Sequence, residues 1–289
     1  MGLPRAGGAL PRQHLRGVAT NDEPIRPVLD ILDLRAGAEP DSFTGENLQV
    51  PTRRVFGGQV LAQALLAAGR TVEPDRLPHS LHGYFLRAGR ADRPTILHVD
   101  RDRDGGSYSA RHVAAVQDGE VIMSVLVSFH ADEDGPEFQA FAMPDTVPAP
   151  EDVPAPEVTP HASIFDLRIL GRGEPRADLP GSPHRFWARA RGPLPEDPQL
   201  HACVLAYLSD IGTGLAKLPP GDPPWMGPSL DHAVWFHHAG RMDDWVLVDL
   251  VPMAAAGARG YYTGTVHDRA GRLLASIAQE HVMRPYTTS

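Results

Sequence analysis

The chain gives nearly the same folding instruction twice, and that repetition restricts its architecture more than any other feature. The segment "HSLHGYFLRAGR" at 79–90 is echoed by "PSLDHAVWFHHAGR" at 228–241. Upstream of the first copy, a strand-like piece around "DSFTGENLQ" leads to "GGQVLAQALLAAGR" (57–70), where Val60, Leu61, Ala64, Leu65 and Ala68 recur at helical spacing. Upstream of the second, "HRFWARAR" leads to "QLHACVLAYLSDIGTGLAKL" (199–218), where Leu200, Val204, Leu208, Ile211 and Leu215 form one apolar stripe. Downstream, "PTILHVDRDRDGGSYSARHVAAVQDGEVIMSVLVSFH" aligns with "DWVLVDLVPMAAAGARGYYTGTVHDRAGRLLASIAQEHV". Both read as three long strands, with "QDGE" and "DRAGR" as hairpin turns.

Each half therefore predicts a strand, one substantial helix and four antiparallel strands. A single helix wrapped by an antiparallel sheet is an α+β unit of the hotdog kind, and two in tandem make a double hotdog whose sheets abut. Residues 136–160 hold seven prolines, which deny ladder donors and favour an extended linker. The expected layout is a loose tail at 1–25, one repeat at 26–135, the linker at 136–160 and a second repeat at 161–289.

Bulk properties exclude several classes. The formal charge of -9 and the scattered arginines leave no electrostatic footprint for nucleic acid. The longest apolar runs, "VLAQALLAA" and "VIMSVLVSF", are about half of what a membrane span needs. The N-terminal stretch lacks the continuous apolar core of a secretory signal. A lone cysteine, Cys203, cannot form an intrachain disulfide, so a reducing, cytoplasmic setting is expected.

The run at 228–241 invites two readings that fail on geometry. Its histidines suggest a metal site, yet adjacent His237 and His238 point to opposite faces of a strand, so no metal is expected. Ser229 in "GPSLD" suggests a hydrolase nucleophile, but Asp231 stands where a nucleophile elbow needs glycine, and a strand follows instead of a helix.

Several segments in order carry a resemblance: "RVFGGQVLAQAL" (54–65), "HSLHGYFLRAG" (79–89), "RDGGSYSARHVAAVQDGEVIMSVLVSF" (103–129), "YLSD" (207–210), "SLDHAVWFH" (229–237) and "QEHVMR" (279–284). With these the chain resembles the acyl-CoA thioesterase II family, the double-hotdog enzymes of bacteria and peroxisomes. The resemblance implies hydrolysis of fatty acyl-CoA to free acid and CoA without metal or bound cofactor. It also implies a catalytic trio that falls on Asp210, Ser229 and Gln279, with Ser229 standing where some members have threonine.

The residues themselves admit plainer roles. Asp210 is either a base partly desolvated where the repeats meet or a solvated carboxylate on the helix's outer side. Gln279 shares a strand face with Ile277 and Met283, so it points inward, either to hold a water or as a buried amide satisfied by backbone. Gly57 and Gly58 open the first helix, where backbone N–H groups favour an oxyanion, or they only permit close packing. His232 either supports the site or is structural. Arg185, Arg189 and Arg191 alternate onto one strand face, where they would meet CoA phosphates or solvent. The reading is a thioesterase acting by Asp-activated water, self-associating as a homo-oligomer. The alternatives are a non-catalytic acyl-CoA or acyl-carrier binding protein, and a hydratase or dehydratase.

Overall fold

A computed structural model of the chain describes residues 28–50, 53–172, 184–212 and 225–285. The expected tail at 1–25 lies outside them. The elements, in order, are α1 (Val28–Ile31), β1 (Arg35–Ala36), β2 (Ser42–Gly45), α2 (Gly57–Gly69), β3 (Arg76–Phe85), β4 (Thr95–Asp104), β5 (Tyr108–Gln117) and β6 (Glu120–Ala131). Then come β7 (Phe165–Arg172), β8 (His184–Ala190), α3 (Pro198–Ser209), β9 (Trp225–Met226), β10 (Asp231–Phe236), β11 (Val246–Ala256), β12 (Arg259–Asp268), β13 (Leu273–Val282) and β14 (Arg284–Pro285).

Twelve of the strands make one sheet in the order β1-β2-β4-β5-β6-β3-β10-β13-β12-β11-β8-β7, and β9 pairs with β14 apart from it. Outward from the centre, β3-β6-β5-β4 on one side is answered by β10-β13-β12-β11 on the other. The twin segments are the two central strands. They pair antiparallel, with Leu81 opposite Val234 and His82 opposite Ala233, so the two repeats share one ladder and do not merely abut. The β5–β6 hairpin closes through Asp118 (φ 49°) and Gly119 (φ 79°), the left-handed pair that a two-residue loop requires.

The sheet wraps the helices so fully that α2 has little open face. Its stripe of Val60, Leu61, Ala64, Leu65 and Ala68 is buried, and so are Gln59 and Gln63 on the other side. Those amides tie down the incoming strap. Gln59 accepts from Leu48 N (3.1 Å), and Gln63 donates to the carbonyls of Ile31 (3.0 Å) and Glu46 (2.8 Å).

Helix α3 starts as its sequence directs. Pro198 occupies the first turn, and the Asp197 carboxylate accepts from Gln199 N and Leu200 N. It ends sooner than the apolar stripe suggests. The Ser209 hydroxyl turns back to the Ala206 carbonyl (2.9 Å), and Gly212 adopts φ 78°, so the helix stops before Asp210. Leu215 lies outside the described residues. The proline-rich linker is extended apart from two short 3₁₀ turns, Pro150–Asp152 and Pro160–Ala162, and is pinned by Trp187 Nε1 to Pro148 O (2.9 Å).

Candidate active site

The two helices run so that the N-terminus of α2 meets the C-terminus of α3. The approach is closer than a side chain allows: a Cβ at Gly58 would sit 2.5 Å from the Tyr207 carbonyl oxygen, and one at Gly57 would sit 2.8 Å from Asp210 Oδ2. Phe56, at the N-cap position of α2, has no side-chain oxygen with which to cap the first turn. Asp210 from the other repeat supplies it, with Oδ2 accepting from Gly58 N at 2.8 Å. Gln279, inward on β13 as the strand alternation requires, donates from Nε2 to Asp210 Oδ1 at 3.0 Å. Three distant parts of the sequence thus converge on one carboxylate.

That carboxylate is 7% exposed. Burial raises its pKa from the ordinary 3.8 to about 7, against the opposing pull of the Gln279 and Gly58 hydrogen bonds. A group that titrates near neutrality can take and return a proton, as a general base must. His232 lies behind it, with Nδ1 4.0 Å from Asp210 Oδ1. Burial drives its pKa down to about 4, so this contact is not an ion pair at neutral pH. Its Nε2 meets Ser209 Oγ at 2.7 Å. The same Ser209 hydroxyl lies 2.9 Å from the Ala206 carbonyl, which fixes the place of the ring.

Asp210 opens onto a cavity of about 540 Å³. Its apolar wall includes Phe56, Val60, Phe85, Met123 and Tyr262, and its polar wall includes Arg54, Arg87, His161, Ser229 and His281. Ser229 enters through a short backbone pairing with His281, flanked by Leu230 N to Glu280 O (2.8 Å) and Val282 N to Pro228 O (2.9 Å). His161 arrives at the end of the linker and stacks on Phe56 with ring centroids 5.0 Å apart. Its carbonyl accepts from the Tyr207 hydroxyl at 2.9 Å.

Of the residues singled out in the sequence, Asp210, Ser229 and Gly57 line this cavity, and Gly58 and Gln279 reach it only through their hydrogen bonds to Asp210. Among the described residues no hydrogen bond joins the Ser229 hydroxyl to Asp210 or Gln279. Gly58 N–H is taken by Asp210, and of the two glycines that open α2 it is Gly57 that lines the cavity. His232 is buried beneath the site and does not border the cavity.

Arg185, Arg189 and Arg191 are not brought there at all. Arg185 pairs with Asp249 at 2.9 Å, while Arg189 and Arg191 both lie 3.1 Å from Asp166. Arg189 also covers the Trp245 ring at 4.7 Å. They belong to the β8 end of the sheet, far from the central pair. Arg54, Arg87, His161 and His281 were missed because each reaches the cavity through tertiary structure, from a loop, the linker or a strand end. Among the described residues no group of three or more His, Cys, Asp or Glu is arranged to hold a metal ion, and no helix is long and apolar enough to cross a membrane.

Comparisons with known proteins agree along the chain. The acyl-CoA thioesterase N-terminal domain model matches residues 48–130, and the C-terminal domain model matches residues 139–283. Acyl-coenzyme A thioesterase 8 of Homo sapiens is 36% identical over 273 residues, covering 85% of each chain. Acyl-CoA thioesterase 2 of Haemophilus influenzae is 34% identical over 268 residues, 84% of this chain and 92% of its own. Among solved structures, the acyl-CoA thioesterase II TesB2 of Mycobacterium marinum is 38% identical with a TM-score of 0.79, covering 91% of this chain and 98% of its own. A hot dog fold protein of Alicyclobacillus acidocaldarius, 22% identical, shares the fold at a TM-score of 0.72 over 89% of this chain and 98% of its own. With both domain models matched in order and more than a third of residues shared over most of the length, this chain belongs to the acyl-CoA thioesterase II family.

Proposed function

We propose that the protein hydrolyses fatty acyl-CoA to free acid and CoA, with Asp210 as the general base for direct attack by water. The observation that carries this reading is the buried Asp210 carboxylate. It titrates near neutrality at the wall of a largely apolar cavity, in a chain similar to enzymes named as acyl-CoA thioesterases. The acyl chain lies along Phe56, Val60, Phe85 and Met123. Gln279 fixes Asp210 Oδ1, and the Ser229 hydroxyl on the cavity wall holds the water. The water oxygen attacks the thioester carbonyl carbon and its proton passes to Asp210. The tetrahedral intermediate expels the CoA sulfur, and Asp210 returns the proton to the thiolate. The N–H of Gly57, at a helix N-terminus, polarises the carbonyl oxygen.

The test is thiol release from a panel of acyl-CoA substrates. Asp210→Asn keeps the size of the side chain and an acceptor for Gly58 N, and is expected to lower kcat by roughly 10²–10⁴ with the fold intact. Full activity in that variant would remove Asp210 from the reaction, and a wild type that binds acyl-CoA without releasing thiol would make the protein a binding module. Self-association through the outer sheet face, where Tyr84, Leu126 and Trp235 remain exposed, is part of the same proposal. Sedimentation velocity checks it.

A further inference from the structure

The cavity's charge is one-sided. Among the described residues that line it Asp210 is the single carboxylate, and it is buried, whereas Arg54 and Arg87 supply two guanidiniums. Both sit on one rim made of two loops laced together. Val55 N donates to Gly89 O (3.1 Å), Ala91 N donates to Arg53 O (2.9 Å), and Arg54 bridges Arg90 through the backbone. Arg53 adopts φ 57°, a conformation that L side chains seldom take, which is the kind of local strain that clusters at ligand sites.

Two neighbouring arginines are committed elsewhere. Arg90 forms a two-pronged pair with Asp92 (3.0 and 2.8 Å), and Arg93 faces Asp118 at 3.9 Å. Among the described residues Arg54 has no carboxylate partner. Arg87 lies 2.7 Å from Glu120, but both side chains are more than half exposed, 53% and 63%, and such a pair is weak and readily exchanged for a doubly charged anion.

We propose that Arg54 and Arg87, on the laced rim 53–56 and 86–91, hold the phosphate groups of the CoA nucleotide while the pantetheine arm runs inward to Asp210. The assignment rests on the thioesterase reading above. An anion is expected at this rim because planar guanidiniums match phosphate oxygens two at a time. Arg185, Arg189 and Arg191, for which the sequence left CoA phosphates or solvent open, are already matched to Asp166 and Asp249.

The experiment compares an acyl-CoA with the same acyl group on N-acetylcysteamine, which keeps the thioester and the end of the pantetheine arm but lacks the nucleotide. For Arg54→Ala, Arg87→Ala and the double variant at low salt, the kcat/KM ratio of acyl-CoA to acyl-N-acetylcysteamine is expected to fall about tenfold or more per arginine. The wild-type ratio should itself fall as salt rises, and that dependence should flatten in the double variant. A dephospho-CoA thioester separates contact with the 3′-phosphate from contact with the pyrophosphate. An unchanged ratio in the double variant, or an equal loss on both substrates, overturns the assignment while leaving the thioesterase reading standing. A wild type inert towards both substrates overturns that reading and this inference with it.

Discussion

The tandem repeat creates two helix-to-helix junctions, one at each end of the central β3–β10 pair, and the two are capped differently. At the first, α2 begins without a cap of its own and takes Asp210 from the other repeat. At the second, α3 begins with Asp197, which caps the helix from within its own sequence. There the C-terminus of α2 ends in Arg70, whose guanidinium goes to the Leu34 carbonyl at 2.6 Å. The second junction also has a cavity, about 720 Å³, but its wall gathers His79, His130, His201, His237 and His238 with Asp132, Glu133 and Glu137, and among the described residues it contains no arginine or lysine. A helix that cannot cap itself is thus what draws a carboxylate into the interior, and burial is what tunes it.

Asp210→Asn tests that contrast with the largest expected effect, the roughly 10²–10⁴-fold loss of turnover. Its counterpart at the second junction is His201→Asn, which should hydrolyse acyl-CoA near the wild-type rate. A comparable collapse there, measured by thiol release, would mean that both junctions serve the reaction.

The acidity of Asp210 adds a pH signature. In the proposed reaction the ionised carboxylate is the active form, and its pKa is raised to about 7, so kcat/KM should fall about tenfold per pH unit below that value and level off above it. Activity that stays flat from pH 5 to 8 would show that Asp210 is not the titrating base.

The glycines give a smaller, structural contrast. Gly58→Ala would place a methyl group 2.5 Å from the Tyr207 backbone oxygen, which cannot swing away, and should cost about 1–3 kcal/mol in denaturant unfolding along with some activity. At the second junction a Cβ on Gly69 meets only the Gln199 side chain, which can rotate aside. Gly69→Ala should therefore be the milder of the two, and the reverse order would contradict the closer backbone approach at the Asp210 end.

How much of this was legible differs residue by residue. The repeat, α2 and the hairpins follow from period and turn chemistry, which are local, and Gln279 points inward because strand alternation is local too. The end of α3 was misjudged because its apolar stripe runs past the residues that stop it, Ser209 and Gly212. Alternation correctly put Arg185 and Arg189 on one face of β8, but the acids that neutralise them come from strands β7 and β11, and only the register reveals those pairs. The cap that Asp210 provides spans 152 residues of sequence, and no local pattern announces it.

The smallest predicted effect concerns stability, and here the junctions carry opposite signs. Asp210 has a pKa raised above 3.8, so its contribution is fully present below that pH and is lost as pH rises through about 7. His201 has a pKa lowered from 6.5, first by burial and then by Arg241, with Asp243 and Asp197 opposing. Below 6.5 the unfolded chain takes up a proton more readily than the fold does, so its contribution is present above 6.5 and is lost as pH falls. His201→Asn keeps an acceptor near the place of Nδ1, which receives Met242 N at 3.0 Å, and removes the titration. Thermal unfolding between pH 4 and 8 should show this variant losing less stability than wild type on acidification, whereas Asp210→Asn should lose less on the alkaline side. Curves for His201→Asn that run parallel to wild type below pH 6.5 would leave the acid sensitivity of the second junction to its other histidines, His79 and His237, whose pKa values burial also lowers.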